Sequence, residues 1–245
     1  MLSIMALSGS LLSYRPAVGI VGDPRPADTS FARHAVMLAG NRGRCSGAVL
    51  TQNLVLTAAH CVLRSSSVGI VSQGVGSTAT KIVIHPEFKI GQRVGSETAQ
   101  ADLALVKFSQ PLPNDYSSVF FAALPVRAGD HLFVVGYGRA LETAIDSGGI
   151  ARMIELVVRT HTPRRMVLSD LTGRGGGSCI GDSGGPVFAD GPDRHWLVGI
   201  VQGRVPGFEG RLRCGDDTIV TPIAPYRGWI VETASKLRSP LQAGE

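Results

Sequence analysis

Apolar residues in this chain come in short runs, and nearly every run is stopped by glycine, proline or a polar cluster. Leu54-Val55-Leu56 and residues 103–108, 131–136 and 196–202 have the length of strands and are too short for helices that stand alone. The 31 Gly and 14 Pro are scattered over 245 residues without a period, so turns are frequent, which favours an all-β chain over a collagen-like one. A hydrophobic content of 44% and a mean hydropathy of +0.17 are those of a globular protein and exclude disorder for most of the chain.

The length allows one large core or two small ones. Residues 110–118, with two prolines and Asn114-Asp115, mark the best boundary between halves. Residues 36–38, 48–57, 68–71, 81–84 and 103–108 read as strands of the first half. Residues 131–136, 152–160, 166–168, 186–188, 196–202 and 217–223 read as strands of the second. Trp229, Ile230, Ala234 and Leu237 fall on one face of a terminal amphipathic helix over 224–237. About six short strands per half, five of them marked in the first and six in the second, suit two six-stranded antiparallel Greek-key β-barrels with a C-terminal helix. The corresponding division is a leader or propeptide at 1–19, barrels at 20–115 and 116–223, and a helix and tail at 224–245.

Cys179-Ile180-Gly181-Asp182-Ser183-Gly184-Gly185-Pro186 holds a serine between glycines. A serine hydroxyl becomes a nucleophile only with a base to take its proton and donors for the charge that forms on the attacked carbonyl. The glycines let the N–H groups of Gly181 and Ser183 point at one spot. Taken alone, the cluster is equally well a turn between strands. Upstream stand Leu56-Thr57-Ala58-Ala59-His60-Cys61 and Ala101-Asp102-Leu103-Ala104-Leu105. A lone histidine is usually structural and an aspartate beside an apolar run is usually a turn residue, but in the order His, Asp, Ser they count together.

That order and the residues around each of the three resemble the trypsin/chymotrypsin-like serine proteases. The resemblance extends to Ile20-Val21-Gly22, Cys45-Ser46-Gly47, Ile84-His85-Pro86 and Gly136-Tyr137-Gly138, and so covers about residues 20–231. It implies a catalytic triad of His60, Asp102 and Ser183, an oxyanion hole from the amides of Gly181 and Ser183, and a protein or peptide substrate. Four cysteines allow three pairings. The resemblance implies Cys45 with Cys61 and Cys179 with Cys214, closures worth about 3 and about 4 kcal/mol in the chain-entropy model. Disulfides of this kind imply secretion or a periplasmic location.

In the resembled family a freed N-terminal Ile places its ammonium beside the aspartate preceding the nucleophile; here the pair is Ile20 with Asp182. Losing one partner of such a buried pair costs about 3–5 kcal/mol, the basis of a zymogen switch. The residue before Ile20 is Gly19 rather than Arg or Lys, so a trypsin-like activator does not cut there, and an uncleaved first strand remains the alternative.

Gly177, followed by Ser178, stands where trypsin-like members carry the acidic floor of the P1 pocket, so no carboxylate awaits Lys or Arg. Gln202-Gly203-Arg204 replaces the usual Ser-Trp-Gly, and Thr218 falls at the pocket wall. These substrate-binding positions imply small or medium apolar P1 residues, with acidic P1 as the alternative. A catalytically silent binding or adhesion protein on the same fold is the other class, with residues 204–213 as its contact loop.

No cofactor motif, metal-ligand cluster or phosphate-binding glycine pattern competes. The net charge of +5 and the arginines at 164, 165, 204, 211 and 213 read as a solvated face, since no basic run is interleaved with aromatics; nucleic acid is not expected as a partner. Residues 1–12 are apolar enough for a signal core but lack preceding Lys or Arg. No later segment reaches the ~18 uninterrupted apolar residues of a membrane span. A monomer is expected.

Overall fold

Leu54, Val55 and Leu56 are all fully buried, which a strand with one wet face does not allow, and the architecture explains it. The computed structural model describes residues 20–22, 25–41, 43–65, 67–72, 75–89, 101–122, 125–205 and 213–241. The leader expected at 1–19, the polar loop at 91–100 and most of the 204–213 contact loop lie outside the described residues.

Among the described residues the first elements are β1 (Arg25–Pro26) and the one-turn helix α1 (Thr29–Ala32). Six strands follow: β2 (Ala35–Gly40), β3 (Gly43–Thr51), β4 (Leu54–Thr57), β5 (Val68–Ser72), β6 (Val75–Ile84) and β7 (Ala104–Phe108), with helix α2 (Ala59–Val62) between β4 and β5. They close into a barrel in the order β2-β3-β4-β7-β6-β5. The second half contains β8 (Phe120–Phe121), β9 (His131–Gly136), β10 (Arg152–Thr162), β11 (Arg165–Ser169), β12 (Pro186–Asp190), β13 (His195–Arg204) and β14 (Thr218–Pro222). Its path β10-β11-β14-β13-β12-β9 closes through a β9–β10 pairing, giving a second antiparallel six-stranded barrel. Numbered from its own first strand, each barrel winds in the same cyclic order, 1-2-3-6-5-4. The short β8 pairs parallel to β13, and β1 adds to β10 of the second barrel.

Three apolar clusters fill the molecule. One lies inside the first barrel, with Val36, Val55, Val106 and Phe108, and another inside the second, with Ile20, Val134, Leu156 and Val220. The third fills the seam between them, where Leu54, Leu56 and Leu105 of the first barrel meet Val135, Phe188 and Ile200 of the second. Alternate residues of β4 and β7 therefore face a core on both sides, and that is why their sequences show no polar alternation.

The single strand expected at 48–57 is two strands, because Gln52-Asn53 turns the chain. The Thr51 hydroxyl donates to Asn53 Oδ1 at 3.3 Å, and β3 folds back on β4. The terminal helix is present as a 3-10 turn at Ala224–Tyr226 leading into α3 (Arg227–Lys236). Ile230 and Ala234 are buried in the seam cluster, His85 lies against Tyr226 and Trp229, and Lys107 of β7 donates to the Leu237 carbonyl. The helix thus fastens the end of the second barrel to the first. Among the described residues no helix is long and apolar enough to cross a membrane.

Candidate active site

Strand β4 ends at Thr57, and Ala58, with extended backbone (φ −74°, ψ 139°), leads into the single turn of α2 that carries His60. Thr57 is opposite Ala104 in the β4–β7 ladder, which brings the residues just ahead of β7 beside that turn. Asp102 stands there, 1% exposed, and one residue uses both its oxygens. Oδ1 accepts the His60 backbone N–H at 2.9 Å, and Oδ2 lies 2.7 Å from the ring Nδ1. A carboxylate only accepts, so this contact puts the imidazole proton on Nδ1 and leaves Nε2 as the basic nitrogen. Ala101, immediately before, has φ +46°, a left-handed conformation costing a non-glycine residue about 1–2 kcal/mol.

The disulfide Cys45–Cys61 lies against this ring, with Cys61 Sγ 3.8 Å from His60 Nε2 and 3.6 Å from the Ser183 carbonyl oxygen. A disulfide sulfur has no proton to donate, so these distances record proximity: the basic edge of His60 and the backbone of Ser183 flank one atom. Cys45, His60 and Cys61 are near enough together to suggest a metal, but the disulfide leaves no thiolate to bind one.

Ser183 arrives from the second barrel, on the loop before β12. Its carbonyl accepts the Ser46 N–H at 2.8 Å, and the Gly184 N–H donates to Val201 at 2.7 Å, so the loop is held by one strand from each barrel. Gly184 has φ +83°, and a Cβ there would stand 2.1 Å from Thr57 Oγ1, so any other residue would push the barrels apart. The Ser46 hydroxyl, fully buried, donates to the Gly181 carbonyl at 2.9 Å and accepts the Tyr137 N–H at 2.9 Å. Thr57 Oγ1 in turn donates to the Ser46 carbonyl at 2.8 Å. Ser46 and Thr57 stand inside the sequence motifs around Cys45 and His60, and neither has a task that the motifs disclose. Their partners lie on the other barrel or across a strand pair, and no local pattern announces them.

The sequence model of the Trypsin family matches residues 20–230, most of the chain. The chain belongs to the trypsin family. It is 25% identical to anionic trypsin of Bos taurus over 234 residues, covering 87% of this chain and 89% of that protein. It is 26% identical to trypsin-3 of Salmo salar, covering 78% and 83%. Serine protease 7 of Drosophila melanogaster is 27% identical over 79% of this chain and 59% of its own, greater length. Membership supports a serine protease, and secretion and zymogen synthesis are typical of the trypsin family.

At the positions the trypsin-family pattern gives to the P1 pocket, the Thr218 hydroxyl accepts the Ser178 N–H at 2.9 Å and donates to Ser178 Oγ at 3.1 Å. Both residues are buried, so the two hydroxyls satisfy each other. The Cys179–Cys214 disulfide closes the same region, and Arg204 Nη1 lies 3.5 Å from Cys214 Sγ. Gly203 sits at a bulge in β13, and Gln202 beside it is buried. Burial lowers the pKa of Arg204, opposed by the charges of Glu142, Asp216 and Asp182.

Ile20 and Asp182 stand at the two positions where the resemblance implies an activation pair, and both are buried. Ile20 is fully buried in the second barrel's core, and Val21 exchanges backbone hydrogen bonds with Gly177 at 3.1 and 3.0 Å. Asp182 is fully buried and accepts the N–H groups of Gly138 and Cys179, each at 2.8 Å. Burial pushes its carboxyl up to about 6, against the pull of those two donors, of Arg152 and of Arg204. In the intact chain the Ile20 nitrogen is an amide and carries no charge.

Proposed function

We propose that this chain is a serine endopeptidase acting through an acyl-enzyme on Ser183. The observation that carries this reading is the two-point grip of Asp102 on His60, which leaves Nε2 as a base beside the nucleophile loop. Ser183 Oγ attacks the peptide carbonyl as its proton passes to His60 Nε2. The negative charge on the carbonyl oxygen is met by the amides of Gly181 and Ser183, on a loop braced by Ser46. His60 returns the proton to the leaving amine, and water repeats the sequence on the acyl group.

The side chains at the pocket positions are Ser178, Thr218 and Arg204, and this set supports a preference for small or medium apolar P1 residues: none is an acid for Lys or Arg, and Thr218 is larger than the small residue common at that wall. Acidic P1 is the second reading, favoured by the half-buried guanidinium of Arg204. Two disulfides support a secreted or periplasmic protein.

Treatment with a serine-phosphonylating reagent, followed by peptide mapping, tests the chemistry. Modification at Ser183 is expected, and an unmodified chain would favour a silent binding protein. Digestion of a peptide library tests the pocket: cleavage mainly after Arg or Lys would overturn both P1 readings.

A further inference from the structure

Arg152 is an arginine in a place where strands carry apolar residues. It lies on β10 opposite Gly136 of β9, is only 3% exposed, and its Nε makes no hydrogen bond. Its guanidinium is held by three carbonyls: Nη1 donates to Gly138 at 3.3 Å and Ile150 at 3.2 Å, and Nη2 to Ser147 at 2.9 Å. None of these carries a full charge, so the cation's countercharge lies elsewhere. The carboxylate acting on it is Asp182, and the two are joined through one residue. Gly138 gives its N–H to Asp182 Oδ1 and its carbonyl to Arg152. The approach is close on the carboxylate side too, since a Cβ on Gly136 would stand 2.2 Å from Asp182 Oδ1.

A buried carboxylate needs a countercharge. The ammonium that a freed Ile20 would supply is absent while the peptide bond to Gly19 is intact. We propose that Arg152 is an internal countercation for Asp182, which positions the nucleophile loop in the uncleaved chain and makes the protease competent without release of Ile20. Arg152 touches no substrate; it acts as a positioning residue through Gly138 and Asp182. The proposal rests on the serine protease reading for its catalytic consequence, but the structural pairing stands apart from it.

The test uses the intact chain with Gly19→Arg, so that a trypsin-like activator can free Ile20 after folding, alone and combined with Arg152→Met or Arg152→Lys. Two quantities are read before and after cutting: the rate of Ser183 phosphonylation against pH, and amide exchange of peptides spanning Gly138 and residues 179–183. Before cutting, the Arg152-containing chain is expected to react at nearly its post-cut rate. Arg152→Met moves the acid limb of the uncut chain up by about one pH unit, about tenfold in rate at its foot, and speeds exchange at Gly138. Arg152→Lys keeps most of the rate. Cutting restores Arg152→Met, because the Ile20 ammonium supplies the missing charge; a merely structural role would not be rescued that way. The charged groups acting on Asp182 are Arg152 from β10 and Arg204 from β13, and only the first is changed. The requirement for a neutral His60 is common to every form, so differences between forms report on Asp182.

An uncut chain that is inert until Ile20 is freed would overturn the proposal, and so would an Arg152→Met chain matching its parent in both readings. If no form is modified at Ser183, the protease reading fails. The exchange data then still decide the pairing, with unchanged protection at Gly138 counting against it.

Discussion

Replacing Ser46 by alanine removes a single oxygen from the place where the two barrels meet. That oxygen is fully buried and serves two partners, the Gly181 carbonyl and the Tyr137 N–H, each at 2.9 Å. The gap left is too small to admit a water, so both partners stay unpaired. An orphaned buried polar group costs about 1–3 kcal/mol, and the carbonyl, with a second lone pair, costs less than the amide; about 2–4 kcal/mol is expected for the pair. In a chain of this size that lowers Tm by about 5–12 °C. Ser235→Ala, which deletes an exposed hydroxyl donating to Val231, should change stability by less than about 0.5 kcal/mol and serves as the control. If Gly181 serves as the proposed oxyanion donor, the catalytic effect should fall on kcat rather than KM, by about tenfold, because that charge exists only in the transition state. Thermal melts and steady-state kinetics on both variants settle it. A Ser46→Ala chain melting within a degree of its parent with unchanged kcat would mean that the hydroxyl braces nothing.

Ser183→Ala should abolish turnover and phosphonylation while leaving the melting curve in place; cleavage at the parental rate would move the nucleophile elsewhere. Asp102→Asn has a single acceptor oxygen, and the fixed His60 N–H claims it. The amide NH2 then faces Nδ1, the imidazole proton moves to Nε2, and kcat at neutral pH falls by on the order of 10⁴; a loss under tenfold would show that Asp102 does not set the tautomer. Asp182, lifted from 3.8 to about 6, binds its proton more tightly folded than unfolded. It therefore contributes stability that is full below pH 3.8 and lost as pH rises through about 6, about 3 kcal/mol in all. Denaturant titrations of the parent and Asp182→Asn should diverge across that window, and parallel curves would contradict it. Arg204→Gly should raise cleavage after Leu or Phe relative to Ala by about tenfold, read by peptide library; an unchanged profile would take Arg204 out of the pocket.

What the sequence reveals depends on how far apart the partners are. His60, Asp102 and Ser183 stand in short strings whose neighbours are themselves informative, and the pairings Cys45–Cys61 and Cys179–Cys214 follow from the same resemblance. The double barrel follows from short apolar runs and frequent turns. The hairpin at Gln52-Asn53 was legible in principle, as two polar residues inside an apolar run, but the run's length hid it. Ser46 was not legible, because its partners lie 91 and 135 positions away and are backbone atoms without a signature. Arg152 is not legible either: nothing in the sequence separates a buried arginine in a strand from a solvent-facing one, and the closure of β9 onto β10 encloses it.

The identical winding of the two barrels makes each a candidate to collapse independently, since neither borrows a ladder strand from the other's closed ring. The imidazole and carboxylate of the proposed triad belong to the first ring and the hydroxyl to the second, so on that reading a newly made chain with one ring formed would lack a complete site. On the proposed reading the site is complete only while Ser46 and Thr57 engage the glycine loop, so opening that joint would abolish hydrolysis.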